Sequence, residues 1–427
     1  MSGANAAEPF IELDLTISDE ARAWQRKARE FARDVVLPFG VKLDQMDAQE
    51  AVASGSPIYE FVRLAHKEGF TKVTGPKELG GLGLSRIEEY LIFEEIATGD
   101  AGLGAVLFLA PFPFAFAYGT GNQKLIDELA RPFFSGERPD WFGCWAITEM
   151  AHGSDQLGAH TESMAVPGGE VRATLSADGT HYTLNGSKSQ WVSCGVTATH
   201  ATLYCNHHGS SLARGGVAVL PLDLPGISRG PALDKHGLRA LAQGQIHFDN
   251  VKLPRENMIT EPDLYVDSLN STHALANVST ALLAFGTGRA AYEGALKWTQ
   301  ERKQGNKKLI EHQLTQLRLF RMFTKVEVAR AIVRDVYLFN YGKADAGEVG
   351  SIQHSCASKV FTTQAAFEVA DEAVQLCGGR GTRRVEGVEF ADGSRFYPEK
   401  LLRDAKSYKI ADGENTFLEL LGAQHLI

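Results

Sequence analysis

The feature that most constrains this chain is a double change of texture. Up to about Phe142 apolar residues recur at helical spacing. From there to about Pro262 they fall in short β-branched or aromatic runs split by Gly, Asp and Asn, and after Pro262 long helical periods return. Over 427 residues this predicts three units, at 1–142, 143–261 and 262–427. In the first, Ser18 suits an N-cap for a helix carrying Ala21, Trp24, Ala28, Phe31 and Val35. In the second, runs such as Tyr182 to Leu184 and Val217 to Leu222, with Asp178-Gly179 as a hairpin turn, predict a small antiparallel barrel or sandwich. In the third, helices over Ala274 to Arg302, Glu311 to Tyr341, Ile352 to Leu376 and about Thr416 to Leu421 can close a four-helix bundle. The expected fold class is α+β multidomain.

Charge and composition exclude several function classes. With 43 Lys+Arg against 52 Asp+Glu the formal net charge is -9, so the overall field repels phosphate backbones and anionic membranes, and no nucleic-acid or membrane partner is expected. The most apolar stretch, Ala101 to Ala117, is broken by Gly104, Pro111 and Pro113 and is shorter than the ~20 residues a spanning helix needs. It predicts buried helix and turn. Cys144, Cys194, Cys205, Cys356 and Cys377 show no CxxC spacing, which argues against a disulfide framework and for a reducing, cytoplasmic location. Met1 to Glu8 lacks the pattern of a secretory signal. Cys205, His207 and His208 lack the further ligands zinc needs, so no metal is expected. Neither GxGxxG after a strand nor GxxxxGK[ST] occurs, which removes the two common phosphate loops. Gly286-Thr287-Gly288 lies in an Ala-rich helical pattern and is read as close helix packing.

Two segments of the middle unit carry chemistry. Thr148-Glu149-Met150-Ala151-His152-Gly153-Ser154-Asp155 follows a predicted strand and offers hydroxyls plus a flexible turn, suited to a flat heteroaromatic ring or a phosphate. Leu184-Asn185-Gly186-Ser187-Lys188 leads into Trp191-Val192-Ser193, read as a further strand with an aromatic flank. Between two helical units, these segments resemble the acyl-CoA dehydrogenase superfamily of flavoproteins. The resemblance runs from about Ile17 to Ala423. It includes the Gly80-Gly81-Leu82-Gly83 turn, Trp145 to Asp155 with Met150 in place of Pro, and Trp191-Val192-Ser193. In the third unit it rests on Glu301-Arg302-Lys303, Glu311-His312-Gln313, Gln375 to Gly379 and Leu402-Arg403-Asp404-Ala405.

The resemblance implies an FAD site shared between subunits of a homotetramer. Trp145, Ile147, Thr148, Gly153 and Ser154 would line the flavin, with Trp191 and Ser193 on its ring. Arg302, Gln313, Gln375, Gly378 and Gly379 would meet the pyrophosphate and adenosine of a neighbouring subunit's FAD, and Glu414 and Thr416 also fall on the cofactor side. Ser154, Asn277 and Gly413 would touch substrate. Family dehydrogenases take an α-proton with a glutamate followed by Gly-Thr, pass the β-hydride to flavin, and are reoxidised by an electron-transfer flavoprotein. The aligned residues here are Asp412-Gly413-Glu414-Asn415-Thr416, which makes Asp412 the candidate base, one methylene shorter. Two alternatives stand beside it: Asp412 as the N-cap of the last helix, and Glu414 as the working carboxylate.

Other positions depart from the family pattern. Ala274 and Asn277 stand where many relatives carry the Asp-x-x-Arg clamp for CoA, Gly305 replaces a usual Phe, and Ala276 leaves the alternative base site of branched-chain relatives empty. An insertion, Arg383 to Ser394, lies between the Gly379 turn and the base and is expected to shape the acyl pocket. The expected activity is α,β-desaturation of an acyl-CoA with FAD. The alternatives are a nitroalkane-oxidase-like enzyme, which resembles this chain in its aspartate base followed by Gly-x-Asn, and an acyl-CoA oxidase or a monooxygenase of the same fold. A DNA-associated flavoprotein is disfavoured by the charge of -9.

Overall fold

The computed structural model describes residues 10–158, 169–207, 215–260 and 262–427. Its first unit is helical, and local chemistry sets the helix ends. Ser18 Oγ accepts from Ala21 N at 3.1 Å at the start of Asp19–Phe31. Pro57–Glu68 begins behind Ser56 and stops at Gly69, whose φ of 93° no β-carbon has to bear. A Ser85/Glu88 capping box opens Arg86–Gly99. The apolar stretch forms two largely buried helices, Ala101–Leu109 and Phe112–Gly119, divided at Pro111.

The middle unit is one curled eight-stranded sheet. Its order is Ile227–Arg229, Ile246–Pro254, His181–Lys188, Arg172–Leu175, His200–His207, Gly215–Pro221, Met258–Thr260. Most pairings are antiparallel. Gly143–Ala146 and Arg172–Leu175, however, both run parallel to His200–His207, one towards each of its ends. Trp191-Val192-Ser193 is not the strand expected from its composition. Only a bridge between Ser193 and Gln243 forms, because Cys194 turns into left-handed geometry at φ 61°. Cys205 and His207 lie on the His200–His207 strand, while His208 falls outside the described residues.

In the third unit the 37-residue helix Tyr265–Glu301 is the spine, against which Gln313–Asp345 and Ile352–Cys377 pack. Gly286 meets Arg86–Gly99 there, where an added β-carbon would stand 2.3 Å from Ala97 Cβ, so the close crossing depends on two small residues. Asn415–Gln424 is the last helix, and a further one, Pro398–Tyr408, precedes it with proline in its first turn. The insertion does not reach the pocket it was expected to shape. It forms a hairpin, Val388–Glu389 with Arg395–Phe396, on the outer end of the spine. There Lys297 pairs with Asp392 at 2.7 Å, Ala391 N donates to Glu301 at 2.8 Å, and Phe396 fills the space above Gly294.

One buried cluster joins all three units. Lys400 Nζ donates to Asp100 and, at 2.6 Å, to Asp404. Asp404 in turn accepts from Leu238 N at 2.6 Å, and Asp100 caps Ala101–Leu109 through Leu103 N at 2.7 Å. Arg403 adds a two-pronged pair with Asp44 at 2.8 and 2.7 Å.

Candidate active site

Where the units meet, a cavity of about 650 Å³ opens. One wall comes from the strand Gly143–Ala146 and the loop after it, which present Trp145, Ile147 and Thr148. That loop is pinned from behind. Lys188 Nζ donates to Glu149 at 2.7 Å and to Ile147 O at 2.9 Å, in a pair whose side chains are 2% and 1% exposed. Glu149 also accepts from the backbone of Glu170 and Val171. Both motifs of the middle unit thus meet in a buried ion pair, and both charges are hydrogen-bonded as burial requires. Trp191, 50% exposed, and Ser193 form the next part of the wall, held by Gln243 Nε2 donating to Trp191 O at 3.0 Å and Ser193 Oγ at 3.1 Å.

The opposite wall is the spine, which shows His273, Ala276, Thr280 and Leu283 at steps of three and four. Against it the chain after Pro398–Tyr408 makes a left-handed turn, with φ 55° at Asp412 and 97° at Gly413. Aspartate is among the few side chains that tolerate this geometry. A β-carbon at 413 would stand 2.8 Å from Leu157 and from Leu418. Asp412 lines the cavity, and its Oδ2 accepts from Asn277 Nδ2 at 2.7 Å and Thr280 Oγ1 at 3.1 Å. Asn277 also donates to the Asp412 carbonyl at 2.8 Å. Burial pushes the Asp412 carboxyl up to about 6, against the opposing pull of Asn277, Lys359 and Thr280.

The neighbouring carboxylate has a different task. Glu414 accepts from Thr416 N at 2.9 Å and Phe417 N at 3.2 Å, so it caps Asn415–Gln424 and leaves Asp412 free of that duty. Its own backbone N–H donates to Ser154 Oγ at 3.0 Å, tying the loop of the middle unit to the turn.

Nine of the residues singled out from sequence line this one cavity: Trp145, Ile147, Thr148, Gly153, Ser154, Trp191, Ser193, Asp412 and Gly413. Others lie elsewhere. Asn277 is buried behind Asp412 and holds that carboxylate, which replaces the expected contact with substrate. Glu414 and Thr416 are exposed at the helix cap and off the cavity wall, because each is engaged in the capping interaction. Arg302, Gln313, Gln375, Gly378 and Gly379 are exposed and also off this wall. The 19 residues from Leu283 to Arg302 amount to about 28 Å along the helix axis.

Among the wall residues not marked in advance, Lys235 and His273 carry ionisable groups. Lys235 donates to Leu241 O at 2.7 Å and Gln243 Oε1 at 2.9 Å, and burial pushes its amine down to about 7. His273 has no hydrogen-bond partner for either ring nitrogen among the described residues, and burial lowers its pKa to about 3, so the ring is neutral. His273 and Thr280 share a helix face with Ala276, a periodicity open to sequence reading. Lys235 sits in a loop and offers no such signal.

The wall chemistry fits a flavin. Trp145 and the half-exposed Trp191 give flat apolar faces, and the Thr148, Ser154 and Ser193 hydroxyls stand along the same wall, as a planar ring with polar edges requires. Fold and cavity together define a flavoprotein oxidoreductase built from helical, β and helical units.

Family comparison makes this specific. The acyl-CoA dehydrogenase N-terminal, middle and C-terminal domains match residues 18–137, 144–251 and 270–427. The chain belongs to the acyl-CoA dehydrogenase family, as an FAD-dependent oxidoreductase acting on CH–CH groups. It is 26% identical to the mitochondrial short-chain specific acyl-CoA dehydrogenase of Rattus norvegicus, over 94% of this chain and 89% of that one. It is 27% identical to glutaryl-CoA dehydrogenase of Desulfococcus multivorans, over 96% and 97%. The fold matches that of butyryl-CoA dehydrogenase from Megasphaera elsdenii with a TM-score of 0.81 at 22% identity, covering 97% of this chain and 100% of that one.

Proposed function

We propose that this chain introduces an α,β-double bond into an acyl thioester, with Asp412 as the base that removes the α-proton. The observation that carries this reading is the Asp412 carboxylate itself, set in the cavity wall by Asn277 and Thr280 and free of helix capping. Both donors reach Oδ2. Oδ1 accepts no hydrogen bond from the described residues and is left to take the proton. Bound FAD would supply the acceptor for the β-hydride. Trp145, Ile147, Thr148, Gly153, Ser154, Trp191 and Ser193 would hold its ring. Phe108, Leu109, Phe112 and Leu283 give the cavity an apolar end that excludes water and suits a hydrocarbon chain.

The roughly 28 Å between this wall and Arg302 supports an FAD whose pyrophosphate and adenosine lie against a second copy. Arg302, Gln313, Gln375, Gly378 and Gly379 of that copy would hold them, through a guanidinium fork and backbone N–H groups. Leu314 and Phe320, 66% and 65% exposed beside Gln313, support burial of this surface in a homotetramer. An electron-transfer flavoprotein is the proposed acceptor of the electrons. A reducing, cytoplasmic location is supported by five cysteines that are all free, buried thiols.

A second reading, a nitroalkane-oxidase-like oxidase, is favoured by two of the same observations: the base is an aspartate, and Ala274 and the engaged Asn277 leave no charged CoA clamp. The two separate on anaerobic mixing of the yellow protein with a panel of acyl-CoAs and with nitroethane. Bleaching by a thioester with slow reoxidation in air is the expected result. Bleaching by nitroethane alone, with rapid peroxide formation in air, would replace the proposal. Because Asp412 acts only when ionised, the bleaching rate should fall about tenfold per pH unit below about 6 and level off above it. A rate that is flat from pH 5 to 8 would speak against this base.

A further inference from the structure

Behind the Asp412–Gly413 turn lies a buried cation. Lys359, on the helix Ile352–Cys377, is 0% exposed, and its Nζ donates to Gly413 O at 2.6 Å and Asn415 Oδ1 at 2.9 Å. Thr363, one turn on, exchanges hydrogen bonds with Asn415 at 3.2 and 3.0 Å, so the amide is held in place to receive the ammonium. No carboxylate pairs directly with Lys359 among the described residues. A buried ammonium without a paired anion is costly, and its position calls for a physical reason.

Three titratable groups act on it: Asp412, Glu414 and, one turn back on its own helix, Cys356. Burial pushes the Cys356 thiol up to about 12, so it carries no charge near neutrality, and Glu414 lies exposed at the helix cap. The buried anion left to answer the ammonium is Asp412. Asn277 and Thr280 donate to that carboxylate but are uncharged, so Lys359, whose amine burial pushes down to about 8, is the positive charge near neutrality among the groups that favour its ionised form.

We infer that Lys359 is a positioning residue for the base: its hydrogen bond to the Gly413 carbonyl fixes the left-handed turn, and its charge keeps the Asp412 carboxylate ionised inside an apolar cavity. This rests on Asp412 being the base. The placement makes chemical sense. A direct ion pair would occupy the lone pairs that must take the proton, whereas an ammonium bonded to the next residue's carbonyl supplies the field and leaves Oδ1 open. It also answers the backbone, since a non-glycine residue at φ 55° persists only where its surroundings over-determine it.

The test is the pH dependence of single-turnover flavin reduction by an acyl-CoA in wild type, Lys359→Met and Asn415→Asp. Asn415→Asp is isosteric and leaves Lys359 in place, but sets a carboxylate on its Nζ that cancels the charge. It keeps the test decisive if Lys359→Met does not fold. Both variants should move the acid limb up by about one pH unit or more. Asn415→Asp should recover near wild-type rate on the alkaline plateau, where its turn is still tethered. Lys359→Met should remain about tenfold or more slower there, with KM within about twofold. A limb that stays in place in Asn415→Asp, and in Lys359→Met where it folds, while Asp412→Asn is inactive, overturns the role of Lys359 and leaves that of Asp412 standing. A limb that persists at the wild-type rate in Asp412→Asn overturns both.

Discussion

Asp412→Asn should abolish thioester-dependent flavin bleaching, lowering the reduction rate roughly 10³-fold, while the protein stays yellow and folded. The size follows from general-base catalysis, which contributes about 10²- to 10⁴-fold. The specificity follows from geometry. The substitution is isosteric, and an amide oxygen can still accept from Asn277 and Thr280 as Oδ2 does now. The last helix does not depend on the residue, since Glu414 caps it. The left-handed turn is kept, because asparagine tolerates that geometry at least as well as aspartate. What is lost is the proposed proton acceptor. Anaerobic stopped-flow reduction with the best acyl-CoA, alongside FAD content and the thermal midpoint, reads the three quantities separately. Bleaching at the wild-type rate would end the assignment.

The largest effect on stability is expected from Lys400→Met, a loss of about 3–5 kcal/mol in denaturant unfolding. Lys400 answers two buried carboxylates, Asp100 and Asp404, whose side chains are each 1% exposed. Burial and the nearby Asp404 push the Asp100 carboxyl up even with Lys400 present. Without the cation, two like charges face each other in a site closed to water, and the Asp100 carboxyl must rise further above its unfolded value. Stability tied to a raised carboxyl pKa is present at low pH and lost as pH rises through the folded-state value. The deficit of Lys400→Met should therefore shrink on acidification towards pH 4 and be greatest near neutrality. Because Asp100, Leu238 and Asp404 come from three different units, unfolding should also lose cooperativity. A variant as stable as wild type at pH 7 would show that the cluster is not what ties the units together.

Much of the site was legible because it is local. Trp145, Thr148, Ser154 and Trp191 fall in short contiguous motifs, and each motif carries its turn residues with it. The cavity that gathers them could not be read the same way. His273 and Thr280 repeat at helical spacing around Ala276, yet nothing in that spacing says which face meets the turn of Asp412. Trp191-Val192-Ser193 has strand composition and fails as a strand because Cys194 turns left-handed beside it. The insertion Arg383 to Ser394 looked like a pocket loop from its place in the chain, and instead packs on Lys297 and Glu301 through partners about 90 residues away.

By itself the sequence determined the helical, β, helical order and a set of motif residues that come to line one cavity, since periodicity and motif are properties of neighbouring residues. Only the tertiary structure decided which carboxylate faces the cavity. Asp412 and Glu414 lie two residues apart, and their tasks divide on the left-handed backbone at 412 and 413. That conformation is held by Asn277, Lys359 and Ser154, which come from three distant segments. The same folding turned Asn277, expected from the sequence to touch substrate, into a support for the Asp412 carboxylate.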